Sequence, residues 1–183
     1  MRRRFVTLSL LGVAAALLPG HSPYRQWYAY RATHLVVVTD EIRPGALALA
    51  AAVASAIAAR WPETKAVPAA ARSPAEVVKL LTSGQLQLGL LPAAEALEAL
   101  EGRGRFADGG KVALRAVAVV GGDLLVVLEG CARDRAHAIA QALGESRDDG
   151  PLAKKSALRG PAPIPFHPGA LDYYQGTGTP KGG

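Results

Sequence analysis

Leu35-Val36-Val37-Val38-Thr39-Asp40-Glu41-Ile42-Arg43-Pro44-Gly45, followed by the alanine-rich run Ala46–Arg60, decides the fold. Four consecutive aliphatic residues without polar alternation read as a strand buried on both faces, the habit of a central parallel strand. The next seven residues form a polar loop, in which Pro44 suits the first turn of a helix. Leu47, Leu49, Val53 and Ile57 then supply an apolar helical face. Trp61-Pro62 ends that helix, because proline cannot extend the hydrogen-bond ladder.

The same alternation continues along the chain. Residues 64–70 read as a second strand, interrupted by Pro68. Ser73-Pro74-Ala75-Glu76 carries a capping serine, a proline at the first helical position and a carboxylate at capping-box spacing. That helix runs to Leu81 or Thr82 and stops near Gly84. A third strand spans 86–91, then Pro92 and an amphipathic helix over 93–100, closed by Gly102 and Gly104. Strands at 112–120 and 124–128 flank Gly121-Gly122-Asp123, a link short enough for a hairpin, so the fifth strand should run antiparallel to the fourth. A late helix covers 133–143. The expected fold is α/β, an open and mostly parallel sheet with flanking helices and right-handed crossovers.

The chain has 183 residues, half of them hydrophobic and 5% aromatic, so alanine, valine and leucine must build the core of one domain. Its formal charge is +6, which falls by three to +3 once Arg2, Arg3 and Arg4 are set aside. That excess is mild and dispersed, which argues against nucleic acid as a partner. Cys131 is the single thiol, so no internal disulfide can form, and no histidine or cysteine spacing suits a metal. No nucleophile–base pair, paired carboxylates or cofactor motif stands out, so the reading is of a protein that is not an enzyme and needs no cofactor.

The three arginines precede an uncharged apolar run, residues 5–18, the pattern of an export signal or of a retained membrane tether. Tyr24, Trp27, Tyr28 and Tyr30 follow, aromatics suited to a membrane–water interface or to a linker packed on the domain. Residues 1–33 are therefore read as signal or anchor plus linker, 34–175 as the folded lobe, and 176–183 as a glycine-rich tail.

Near the end stands Ile164-Pro165-Phe166-His167-Pro168-Gly169-Ala170-Leu171-Asp172-Tyr173-Tyr174. This run resembles the C-terminal signature of the TAXI family, the periplasmic solute-binding subunits of TRAP-type transporters. Val77-Val78-Lys79-Leu80-Leu81-Thr82-Ser83-Gly84, Leu114-Arg115-Ala116-Val117-Ala118 and His137-Ala138-Ile139-Ala140-Gln141-Ala142-Leu143 are similar to family elements in matching order. The resemblance implies one lobe of a periplasmic-binding-protein type II-like fold, a periplasmic location, a small organic anion such as an amino acid or dicarboxylate as ligand, and TRAP-type membrane permease subunits as partners. Family members carry two lobes around a cleft. Here the fifth strand runs almost directly into the late helix, so the resemblance implies a chain that lacks most or all of the second lobe. The alternative is a degenerate single-lobe assembly module, with apolar surface bared near Val119, Val120 and residues 124–128 for a partner to cover.

In open α/β sheets ligands bind beyond the carboxyl ends of the strands. Thr39, Asp40, Arg43, Arg72, Ser73 and Pro92 are the candidate site residues on that ground. Arg43 and Arg72 could pair with a carboxylate through parallel hydrogen bonds. Ser73 either receives an anion at a helix N-terminus or simply caps it. Asp40 and Glu41, where the family has a glycine- and threonine-rich loop, either face ligand or solvate the loop. Gln87 stands where the family commonly has an aspartate. His167 reads as a turn-stabilising residue, Tyr173 and Tyr174 as packing residues, and Lys154-Lys155 as a solvated loop.

Overall fold

The computed structural model describes residues 34–146, 152 and 155–176, so the export or anchor segment, Lys154 and the last seven residues lie outside it. Five strands, β1 (Val36–Asp40), β2 (Val67–Ala71), β3 (Leu88–Pro92), β4 (Leu114–Val120) and β5 (Asp123–Leu128), form one sheet in the order β2-β1-β3-β5-β4. β1 lies between β2 and β3 and is parallel to both, as its unbroken aliphatic run requires. The helices are α1 (Ala46–Arg60), α2 (Pro74–Thr82), α3 (Ala93–Glu101), α4 (Arg133–Gly144) and α5 (Pro168–Gln175). The fold is thus α/β, a mixed sheet with a parallel centre flanked by helices.

Side chains of β1 alternate between two cores. Val37 packs with Ile57 of α1 and with Ile139 and Leu143 of α4, while Val36 and Val38 pack with Val77 and Leu81 of α2 and with Phe106. Burying each such aliphatic side chain stabilises the fold by about 1.5–3 kcal/mol relative to exposure. Both faces of the sheet are therefore covered by this chain's own helices. Among the described residues no helix is long and apolar enough to cross a membrane.

The fifth strand departs from a simple hairpin at the sheet edge. Gly121 and Gly122 both have positive φ, 60° and 93°, as a two-residue primed turn requires. The turn folds β5 back into the gap between β3 and β4, antiparallel to both. The expected bared surface is consequently not found: Val120 and Leu124 through Val127 are buried, and Val119 and Leu128 are partly so. An interior strand with helices on both faces has no apolar side left for a partner.

Each sheet edge is protected in its own way. Val67 donates its N–H to Leu35, so Pro68, the next residue of β2, turns its donorless nitrogen toward the open edge. This explains how a strand tolerates it and discourages pairing with another chain. On the far side Ala116 of β4 donates to the Pro165 carbonyl and accepts from His167 N–H. The C-terminal return segment thereby closes that edge. Val117 bulges out of the β4–β5 register, and the Tyr174 hydroxyl donates to its carbonyl at 3.0 Å. Burial pushes that phenol well above the usual tyrosine range. Gly176, assigned by sequence to the tail, instead closes α5 in a left-handed conformation.

Candidate functional site

The parallel strands all deliver their carboxyl ends to one rim, and because β5 is antiparallel its first residue, Asp123, arrives there too. Asp40 ends β1 with its side chain 1% exposed, and Asp123 is 10% exposed. Arg43, in the loop from β1 to α1, joins the two. Its Nε donates to Asp40 Oδ2 at 2.9 Å, and one terminal nitrogen donates to both Asp123 oxygens at 2.8 and 2.7 Å. The Arg43 backbone N–H adds a bond to Asp40 Oδ1 at 3.2 Å. The second terminal nitrogen sits 2.9 Å from Asp40 Oδ2, close enough for charge attraction but off the line that a hydrogen bond needs. The guanidinium pKa is raised: burial opposes the charge, but hydrogen bonds and attraction to Asp123 and Asp40 outweigh it.

A third carboxylate completes the rim. Glu95 lies in the first turn of α3, just after Pro92, and pairs with Arg105 at 3.0 Å. Its other oxygen is buried without a hydrogen-bond partner among the described residues, as is the Thr39 hydroxyl. Burial first, then the charges of Glu98 and Asp40, push the Glu95 carboxyl up, against the pull of Arg105 and Arg43. Asp40, Asp123 and Glu95 thus face two guanidinium groups, both already engaged. The Glu95 oxygen left over keeps acceptor capacity at the rim.

The structure sets Asp40, Arg43 and Pro92 around this centre, Pro92 lying opposite Asp123 in the sheet register. Thr39 is buried one residue earlier on β1. Arg72 and Ser73 are elsewhere employed, at the start of α2 beyond the edge strand. Arg72 is 83% exposed and bonds through Nε and a terminal nitrogen to Glu76, whose carboxylate also accepts the Arg72 backbone N–H. Ser73 accepts from Glu76 N–H at 3.2 Å and is a plain cap. The box is not the reciprocal kind, since Glu76 reaches Arg72 N–H rather than that of Ser73. Its pKa is lowered to about 2 by those bonds. Gln87 accepts a hydrogen bond from Arg135. Glu41 is exposed in the loop and donates its N–H to Ala71.

Sequence reasoning missed Asp123 and Glu95. A signal for Asp123 existed in its place after a two-glycine turn, since the first residue of an antiparallel return strand falls at the carboxyl rim. Glu95 was marked only by standing in the first turn after a strand-ending proline.

Cys131 is half-buried, and burial pushes its thiol up, the opposite of the shift that makes a thiolate nucleophile. His167 is buried at the start of α5, where its ring accepts from Gly169 N–H. Tyr173 stands edge-on to His137, and Tyr174 edge-on to Phe166. No protein-family model and no curated protein matches this chain.

Proposed function

We propose that this chain is an exported, solute-binding-like lobe of the TAXI type that presents the carboxyl rim of its sheet to a small amino-bearing organic acid and to TRAP-type membrane subunits. The observation that supports the reading is Glu95, a rim carboxyl pushed up by burial and by neighbouring carboxylates, with one oxygen unpaired. A carboxyl pushed off its ordinary value by burial and by specific neighbouring charges is a candidate for receiving a charge. An ammonium group placed there would pair with the free Glu95 oxygen and ease the repulsion that Glu98 and Asp40 exert on it. Arg43, held by two carboxylates, has little attraction to spare for a second dicarboxylate. Of the two ligand classes that the family resemblance implies, the rim therefore favours an amino acid. No covalent step is involved; the mechanism is recognition and delivery.

A one-walled shelf leaves part of any small ligand in water, so affinity should be modest. Thermal unfolding of the chain with glutamate and with glutarate, its analogue without the amino group, tests the assignment. Ligand at about a hundred times its dissociation constant stabilises by about 2.7 kcal/mol. Glutamate should raise Tm and glutarate should not. Equal stabilisation by both overturns the amino-group reading. A flat response to both, with a stable complex of copies or of membrane subunits, would instead establish the assembly-module reading.

A further inference from the structure

His167 joins three separate pieces of the fold. Its N–H donates to Ala116 on the β4 edge at 2.8 Å, and its carbonyl accepts from Leu171 in α5. Its ring Nδ1 accepts from Gly169 N–H at 3.1 Å, and Nε2 lies 3.0 Å from the Cys131 carbonyl in the turn before α4. A backbone N–H can only donate and a carbonyl can only accept. The two contacts together fix the neutral Nε2–H tautomer. His167 is 3% exposed, so water cannot readily replace either bond.

Protonation would place a hydrogen on Nδ1, pointing at the Gly169 N–H. The cap of α5 would be lost and two donors would face each other. Gly169 has no room to retreat, because a methyl group there would already run into the Arg133 carbonyl. The charged groups around the ring do not offset this. Asp172 of α5 feels both His167 and His137, but Arg133 of α4 grips it at 2.6 and 2.7 Å. His137 of α4 is itself buried, with no hydrogen-bond partner for Nδ1 among the described residues. β4 contributes backbone only, since its one charged residue, Arg115, pairs with Glu129. The Cys131 thiol is held un-ionised by burial. Asp134 and Arg135 of α4 stand beside Cys131 with opposite charges.

We propose that His167 is a proton-operated latch: neutral, it caps α5 and steadies the pairing of residues 165–167 with the β4 edge; protonated, it loosens that cap and that pairing, while Tyr174 on Val117 and Arg133 on Asp172 still tether α5.

Amide hydrogen exchange on the full chain tests it, compared at about pH 7.5 and about pH 5 and corrected for intrinsic rates. Protection of the Ala116, His167, Gly169 and Leu171 amides should fall on the order of tenfold or more in acid, while the Glu41 and Val67 amides of the β1–β2 pair hold theirs. His167→Asn, which keeps a capping acceptor but cannot titrate, should abolish the selective loss. His137→Gln should retain it. Equal loss in His167→Asn, no loss in the unaltered chain, or loss shared with β1–β2 overturns the latch. Should His167→Asn fail to fold, the ring nitrogen signals of the unaltered chain decide: Nε2–H at neutral pH is required, and Nδ1–H refutes it.

Discussion

Replacing Arg43 with methionine removes the cation from between two buried carboxylates while keeping an unbranched side chain of similar reach. Three side-chain hydrogen bonds to ionised partners disappear, at 2.9, 2.8 and 2.7 Å. Such bonds contribute about 1.5–3 kcal/mol each, and they are not additive when they share one guanidinium. Breaking a buried pair by removing one partner costs about 3–5 kcal/mol. Arg43 is 32% exposed, so water can reach part of the vacated space and the lower end applies. The expected loss is about 3 kcal/mol, a fall in Tm of about 10 °C for a domain of this size. Urea unfolding monitored by circular dichroism would measure it. Asp123→Asn in the Arg43→Met background should recover about 1–2 kcal/mol, because it removes one of the stranded charges. A loss below about 1 kcal/mol with no recovery would mean the triad behaves as a surface ion pair, and the rim would lose its claim to be a strained charged centre.

Glu76→Gln tests the second acidic feature. Hydrogen bonds from Arg72 hold the folded-state carboxyl at about 2, below its ordinary 4.5, so its stabilisation is present above the ordinary value and lost as pH falls through about 2. The variant should melt below the unaltered chain at neutral pH by a small, salt-sensitive margin, since the pair is exposed, and the two melting curves should converge in acid; a pH-independent gap would refute the linkage. Gly169→Ala tests the approach of α5 to α4. Its methyl would meet the Arg133 carbonyl, a backbone atom with little freedom to move. Overpacking of this kind costs about 1–3 kcal/mol in denaturant unfolding, and an unchanged midpoint would show that the two helices part easily.

The order of strands and helices was legible because each rests on local chemistry. Leu35 through Val38 has no polar face, Ser73-Pro74 must open a helix, and Gly121-Gly122 must turn. The place of β5 was not legible, since a hairpin fixes which strand it pairs with first and not which gap it fills. Pro68 looked like an interruption until its nitrogen was found facing an open edge. At the rim, Asp40, Arg43 and Pro92 were within reach of sequence reasoning because strand ends are where an α/β sheet keeps its loops. Arg72 was a natural carboxylate partner by type, but Glu76 lies four residues away on the same helical turn and took the role. The exposed apolar surface expected near β5 was not found, because β5 fills the gap between β3 and β4.

Local sequence settled what forms a strand, what forms a helix and where each stops, because those outcomes depend on side-chain periodicity, caps and turns within a few residues. Only the tertiary structure brought Asp123 to Arg43 across eighty residues and His167 to Cys131 across thirty-six. Charge pairing and proton placement depend on distances of about 3 Å, which are set by how the sheet and helices pack and are not written in the chain's local pattern.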